Sequence, residues 1–535
     1  MKIFYRTLII FLIATTLLWG CATRNTGADL RIASGAPDGV WNPLGAALQK
    51  QVSTALPGTK VSVQKTTGAF ENLNLLTTGK ADLVFSFDYQ VLRINQGNLP
   101  KSASGKAAVR ILTGLYEQPI QIITLAGSGI TSIHGLKGTR VSTGAEGSGT
   151  EEHAVIILQS LGLDPDKDLQ RQKMGTAESI AALKSGTLDA FIWSGAAPTS
   201  SITDLASGGA QLVFLPVNAQ DADVIMHNNP GVFHRALIRA GAYPGLAQDV
   251  DALAVTDVLA VMDSFPDDRA TAVLSTLFDK KSELVPAWQG AADLTPGSGL
   301  AMLAPETRVY LHPAAAAFIQ TRETLYQVST INSLMTDHYD GLETIDMLKQ
   351  KGDLGIGTFD GLEGEMVMLD GLVYQVIDTG KVVQPADTIL TPFANVTRFE
   401  RDINLNLGEV KNITDLQATL ESMMPRKDAF YAIRVDGTFK HVKVRTVLKQ
   451  TKPYPAFADV IKNQVVGDYQ NVKGTIVGFW SPDYVGGVNL PAYNLHFISD
   501  NRSIGGHLIE CDITDTRASL DETRNFEMKL NPDGG

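Results

Sequence analysis

Two of the nine histidines lie where their side chains can share a ligand. His496 sits in the β-type run Tyr493–Ser499, and His507 follows the turn Ser499-Asp500-Asn501-Arg502-Ser503-Ile504-Gly505-Gly506 on the returning strand. Residues at i and i+2 share a strand face, so Asn494 and His496 point the same way and His507 can meet them across the hairpin. Converging imidazoles suit a transition-metal ion, although histidines with satisfied structural roles show the same spacing. Arg445 lies nearby in a basic run with Lys440, His441 and Lys443, which by itself reads as a solvated strand face.

A second chemistry is offered by three strand-to-helix turns nearer the N-terminus: Ser34-Gly35 to Trp41, Thr67 to Asn72, and Gly144 to Thr150. Glycines there let backbone N–H groups approach a ligand, and each turn opens a helix whose positive end favours a carboxylate. Gly147-Ser148-Gly149-Thr150 resembles a phosphate loop but lacks its lysine, which excludes the nucleotide reading. Glu71 reads as a first-turn helix acid rather than a ligand contact. Trp41 and Trp193 suit either a ligand wall or plain packing.

The elements that must hold these residues fall into two styles. From Leu30 onward short apolar runs alternate with helical stretches, LRIAS, WNPLGAALQKQVSTAL, KVSVQKTT, ENLNLLTTG and ADLVFSF. A second set follows in IQIITLAG, RVSTG, GTEEHAVIILQSLGL, ESIAALKSG and DAFIWSG. Such alternation predicts two parallel α/β lobes with a cleft between them. A helical segment over Phe265 to Glu283 and a Pro- and Gly-containing passage follow, and from Leu325 the pattern changes to alternating β-type runs. Asp370-Gly371 and Asp436-Gly437 both read as hairpin turns. The fold expected is an α/β two-lobed periplasmic-binding-protein-like module over 29–320, then an α+β, β-rich module over 321–535.

The front succession SGAPDGVWNPLGAAL, TTGAFENLNLLTTGKADLVF, LKGTRVSTGAEGSGTEEHAVIILQSLGL, AESIAALKSGTLDAFIWSGAAP and AYPGLAQDVDALAV resembles the TAXI family of TRAP-transporter solute receptors. The resemblance implies a module that closes on a small anionic solute and presents it to a TRAP permease in the membrane. The positions matching the family's ligand-lining turns are Gly35, Gly39, Trp41, Gly68, Asn72, Ser148, Gly149, Thr150 and Trp193. Ala69 stands where the family often has serine, removing a hydrogen bond worth about 0.5–1.5 kcal/mol.

The rear strings LYQVSTINSLM, GDLGIGTFDGLEGEMVMLDGLVYQV, TPFANVT, FYAIRVDGTFKHVKVRTV, KPYPAFADVIKNQ and GTIVGFWSPDYVGGVNLPAYNLHFISDNRSIGGHLI resemble bacterial acetolactate decarboxylase. The resemblance implies decarboxylation of 2-acetolactate to acetoin with Zn2+. By that resemblance Arg445 holds the substrate as a planar fork, Glu365 helps deliver the proton, and Thr358 sits in the same loop. The metal ligands implied are His496, His507 and the residue at 494. That family has histidine where this chain has Asn494, and an amide oxygen is a poorer zinc ligand than imidazole. The family also carries a glutamate near its C-terminus, beyond the Asn531-Pro532-Asp533-Gly534-Gly535 end of this sequence. Two functions stay open: an enzyme fused to a receptor, and a binding or sensing protein whose rear module grips an α-hydroxy-β-keto acid without turnover.

Lys2, Arg6 and the uncharged run Leu8 to Leu18 read as a secretory signal over 1–20, too short to span a bilayer. Leu18-Trp19-Gly20-Cys21 resembles a bacterial lipobox, which implies lipidation of Cys21 and anchoring on the periplasmic side of a membrane. Cys511 is then left without an intrachain disulfide partner. Losing Lys2 and Arg6 takes the formal net charge from −12 to −14, which argues against nucleic-acid binding.

Overall fold

Short, nearly all-apolar runs form strands here because helices cover both faces of the sheet they enter. A computed structural model describes residues 29–36, 39–97 and 108–532, so residues 1–20, expected to be a secretory signal, and Cys21 lie outside the described residues. The chain divides into two compact units, residues 1–294 with 299–315, and residues 295–298 with 316–535.

In the first unit β1 (Leu30–Ala33), β2 (Val61–Gln64) and β3 (Leu83–Phe87) pair in parallel, joined by α1 (Trp41–Ala55) and α2 (Ala69–Thr77). β3 is buried at every residue and runs into α3 (Asp88–Asn95). The second lobe repeats the plan with β5 (Arg140–Ser142), α4 (Gly149–Ser160), β6 (Gln170–Gln172), α5 (Thr176–Lys184) and β7 (Ala190–Ser194), again in parallel. Two long strands, β4 (Val109–Leu125) and β10 (Val250–Met262), pair with each other and run through both lobes. The strand order is β2-β1-β3-β10-β4-β7-β5-β6. The two-lobed α/β expectation is met.

The second unit is β-rich. One sheet has the order β16-β15-β14-β13-β18-β11-β24. Its strands are β11 (Thr324–Val328), β13 (Leu354–Thr358), β14 (Glu365–Leu369), β15 (Leu372–Val376), β16 (Val382–Val383), β18 (Ala394–Thr397) and β24 (Asn525–Lys529), while β12 (Glu343–Thr344) and β17 (Leu390–Thr391) pair separately. The other sheet runs β19 (Ile403–Val410), β23 (Gly505–Thr523), β20 (Phe430–Thr446), β21 (Val465–Ser481) and β22 (Ala492–Ser499). An added β22–β23 pairing closes β20, β21, β22 and β23 into a ring. Its core is filled by Tyr431, Ile433, Phe439, Ile476, Phe497 and Ile513, all fully buried.

The two Asp-Gly pairs behave differently. Asp370 and Gly371, both at positive φ, join β14 to β15 as a two-residue hairpin. Asp436-Gly437 is not a turn: it lies within β20, where the pairing to β23 shifts register between Asp436 and Thr438. β20 has ladders on both sides, so leaving the sheet there would forfeit two sets of backbone hydrogen bonds, and the irregularity is absorbed as a bulge. Arg434 and Thr475 side chains bond Asp436 in place.

Candidate functional site

In the second unit, three side chains stand in one row because their strands are paired residue to residue. Arg445 of β20 lies directly opposite His507 of β23, and His507 lies directly opposite His496 of β22. Directly opposed residues share a face, so all three point the same way. The two imidazoles meet edge to face with ring centroids 5.3 Å apart. Asn494, two residues before His496, joins that face, as its spacing predicts.

Glu365 comes from the other sheet, at the start of β14, and its Oε2 lies 3.5 Å from His496 Nε2. His496 Nδ1 is hydrogen-bonded to the Met366 carbonyl at 2.8 Å, so Nδ1 carries the proton and Nε2 presents a lone pair to Glu365. Two acceptors thus face each other unless a proton or a cation lies between them. Burial pushes Glu365 up to about 7, against the opposing pull of Arg445. Burial also pushes His496 down to about 4 and His507 well below the ordinary histidine value. Both imidazoles are therefore neutral at neutral pH, the form in which they bind metals.

Thr358, at the end of β13, pairs across the ladder with Glu365, and its hydroxyl donates to the Gly364 carbonyl at 2.7 Å. That bond fixes the bend from which Glu365 departs. Arg445 is half-buried and donates from its guanidinium to Gln464 Oε1 at 3.1 Å. The structure brings together Glu365, Arg445, His496 and His507, while Gln464 and the Met366 carbonyl are additions that sequence reading misses. Gln464 carries no distinguishing spacing, and a backbone carbonyl leaves no sequence signal.

Among the described residues, no group of three or more His, Cys, Asp and Glu is gathered as a ready-made metal cluster. The residues around His496 nevertheless fit a divalent cation in their chemistry. They offer two neutral imidazoles, a carboxylate facing one of them, and the Asn494 amide, whose Oδ1 is sealed from solvent with no hydrogen-bond partner.

In the first unit helices start at Trp41, Ala69 and Gly149, within the predicted turns, but several side chains there are already engaged. Asn72 is fully buried; its amide donates to the Ser34 and Phe85 carbonyls at 2.7 and 2.8 Å and accepts from Thr66. It is a tie between neighbouring turns. Trp41 stacks on Phe85, meets Phe87 at a tilt and donates through Nε1 to the buried Asp257. Trp193 donates to Thr199 at 3.0 Å and packs in the second-lobe core. Ser148 caps α4 by accepting from the Glu151 N–H, and the Thr150 hydroxyl accepts from the Ser194 N–H at 3.3 Å.

The glycines divide by reason. Gly68 holds φ 141°, which L side chains rarely adopt, and opens α2. A Cβ on Gly149 would fall 2.8 Å from the Phe87 ring, and one on Gly35 would crowd Trp41 at 3.1 Å. Gly39 closes a turn onto the Ala36 carbonyl.

Two buried polar residues between these turns escape sequence reading. His153 of α4 bridges the lobes, with Nε2 2.9 Å from the Tyr89 hydroxyl and Nδ1 2.9 Å from Ser194 Oγ. Burial pushes it down to about 3. Tyr89 in turn donates to Glu152 at 2.6 Å, which assigns the proton to Nε2 of His153. Asp257 lies fully buried on β10, raised far above the usual carboxylate range by that burial; its Oδ1 accepts from Trp41 and Gln118, and its Oδ2 has no partner. A lone acid within the apolar run 252–262 is the available signal.

Comparison with known proteins gives two matches in tandem. Residues 32–320 match the NMT1-like family model and residues 325–534 the alpha-acetolactate decarboxylase model. The alpha-acetolactate decarboxylase of Methanosarcina mazei is 47% identical over 212 residues, covering 40% of this chain and 74% of that protein. The crystal structure of alpha-acetolactate decarboxylase from Bacillus subtilis is 36% identical, covering 39% of this chain and 89% of that one, with a TM-score of 0.39. The periplasmic aliphatic sulphonate binding protein of Escherichia coli is 18% identical, covering 55% of this chain and 82% of that one, with a TM-score of 0.31.

Proposed function

The chain belongs to the NMT1-like family through residues 32–320 and to the alpha-acetolactate decarboxylase family through residues 325–534, and from that membership we propose that it is an exported fusion of a solute receptor and an acetolactate decarboxylase. The observation that carries the enzymatic half is the Arg445–His507–His496 row with Glu365 facing its end.

The substrate, 2-acetolactate, carries a carboxylate on a hydroxyl-bearing carbon beside a ketone. Breaking the bond to the carboxylate releases CO2 and leaves its electron pair on the carbon framework as an enediolate, which a proton at the former carboxylate-bearing carbon converts to acetoin. Arg445 binds and orients the substrate's carboxylate through a charged fork. Its hold on Gln464 fixes the direction of that fork. Glu365, raised to about 7, is protonated in a substantial fraction of molecules at neutral pH and delivers that proton at Oε2. The buried setting of His496 and the near-burial of Glu365 keep bulk water from competing for that proton. His496 and His507, with Asn494 at the third position, would hold the divalent metal, and the chemistry it supplies is Lewis-acid stabilisation of negative charge developing on substrate oxygen.

The front unit binds a small carboxylate at the turns opening α1, α2 and α4, whose helix N-termini favour an anion. Its TAXI-type sequence supports delivery to a TRAP permease, and the segment ending in Cys21 supports export and lipid anchoring. A second reading, a binding or sensing protein without turnover, is favoured by Asn494 at the position of a zinc histidine.

One experiment separates the two. The chain from Asp29 onward is stripped with chelator, reloaded with a divalent metal, and assayed for acetoin from racemic acetolactate. Acetoin above the uncatalysed rate establishes the enzyme; none with any of several metals in excess leaves the binding protein.

A further inference from the structure

We infer that Asn494 is itself a metal ligand, through Oδ1, and that it turns the selectivity of this centre away from zinc toward oxygen-preferring divalent ions such as Mn2+ and Fe2+. The inference rests on the proposal that the second unit binds a divalent metal, and it concerns which ion the centre prefers.

The argument starts from an unsatisfied atom. Asn494 Oδ1 is sealed from solvent and no donor reaches it. Burying an amide oxygen with no partner costs stability, and a cation bound there would recover that cost. Its place supplies the completing partner. Asn494 lies two residues before His496 on β22, so it shares the face on which His496, His507 and Arg445 stand. Arg445 already donates to Gln464, and the Nδ1–H of His496 is taken by the Met366 carbonyl.

The remaining donors have one character. His496 spends its Nδ1–H on the Met366 carbonyl, leaving Nε2 as a lone pair 3.5 Å from Glu365 Oε2. The set is thus two imidazole nitrogens and one amide oxygen, with the Glu365 carboxyl beside them. Zinc is favoured by nitrogen and sulfur ligands in tetrahedral number, whereas carbonyl oxygens suit Mn2+ and imidazole serves Fe2+ as well as zinc. Exchanging imidazole for an amide oxygen removes the stronger of two donors for zinc and costs an oxygen-preferring ion less.

The test uses the full soluble chain, metal-stripped, with three forms compared: the natural protein, Asn494→His and the near-isosteric Asn494→Leu. Binding of Zn2+ and Mn2+ is measured by calorimetry, and the coordination of Co2+ by its visible absorption. The expected result is a zinc-over-manganese preference at least tenfold smaller in the natural protein than in Asn494→His. Co2+ should give weak absorption in the natural protein and an intense, tetrahedral-type band in Asn494→His. Mn2+ affinity should fall at least tenfold in Asn494→Leu, with metal-free unfolding showing that this variant is folded.

Equal zinc-to-manganese ratios in the natural and histidine forms, or undiminished Mn2+ binding by the leucine form, overturn the inference while leaving metal binding intact. If neither the natural form nor Asn494→His binds any of the three ions, the metal-centre proposal falls and the inference with it.

Discussion

His496 Nε2 and Glu365 Oε2 face each other at 3.5 Å across two different sheets, with the histidine proton held elsewhere by the Met366 carbonyl. The arrangement makes Glu365 the group that must carry a proton whenever no cation lies between them. Its value near 7 follows from that burial.

Replacing Glu365 by glutamine keeps the size of the side chain but removes the transferable proton. Acetoin formation should fall by about 10²- to 10⁴-fold, the usual contribution of a positioned acid. The metal-free variant should unfold at the same temperature or higher, because a buried ionisable group has been made neutral. Acetoin assays and thermal unfolding on the same preparation check both halves; near-normal turnover would remove Glu365 from the mechanism.

Arg445 and Gln464 should separate by severity. Arg445→Lys loses the planar fork and should raise KM and lower kcat/KM strongly, since an ammonium cannot match a carboxylate in two places. Gln464→Ala leaves the charge but frees its direction, so the loss should be smaller and should fall mainly on kcat. Steady-state kinetics on both variants decide; equal defects would mean that Gln464 does more than position the arginine.

In the first unit, Trp41 and Asp257 form a buried donor–acceptor pair whose loss should be felt in stability. Trp41→Phe strips a donor from a buried carboxyl and should cost roughly 1–3 kcal/mol. Asp257→Asn keeps Oδ1 as an acceptor and removes the ionisable group, so it should be neutral or stabilising at pH 8. Asp257 is raised above its ordinary value, so its contribution is fullest below that value and declines as pH rises through the folded one. Thermal unfolding of both variants at pH 5 and pH 8 tests this, and a stabilising effect of Asp257→Asn confined to pH 5 would contradict it.

How far the sequence reveals this molecule depends on whether a signal is local. Asp370-Gly371 reads correctly because a hairpin is a local event, whereas Asp436-Gly437, the same dipeptide, misleads because two neighbouring ladders decide its conformation. The pairing of His496 with His507 is legible, since period-two spacing and one turn determine it. Glu365, Thr358 and Arg445 come from resemblance rather than from spacing, and the structure adds their partners. Asn72 is legible as a turn residue but not as a buried tie, because two of its three partners, Ser34 and Phe85, lie on other elements, 38 and 13 residues away. Asp257, His153 and Gln464 escape for that reason: each gains its meaning from a residue far along the chain.

A cluster of carboxylates in the second unit gives the last prediction. Glu323, Glu400, Asp521 and Glu522 are buried, Asp402 is partly so, and the cations beside them are Arg322 on Glu400 and Arg524 on Glu522, both at 2.9 Å. Burial, then the neighbouring Asp402, pushes Glu323 up to about 8, and burial raises Asp402 and Asp521 as well. A carboxyl whose folded value is raised holds its proton more tightly in the folded chain than in the unfolded one. Its stabilisation is therefore complete below the ordinary value near 4.5 and is lost as pH climbs through about 8. The second unit should unfold at a higher temperature at pH 5.5 than at pH 8.5. Glu323→Gln, which cannot ionise, should flatten that dependence and stabilise the unit at pH 8.5 by roughly 1–3 kcal/mol, since a tenfold difference in proton affinity between folded and unfolded chain is worth about 1.4 kcal/mol. Calorimetric unfolding of the natural chain and the variant across that range measures it, and a natural protein more stable at pH 8.5 than at pH 5.5 would show that the cluster is ionised and held by its arginines instead.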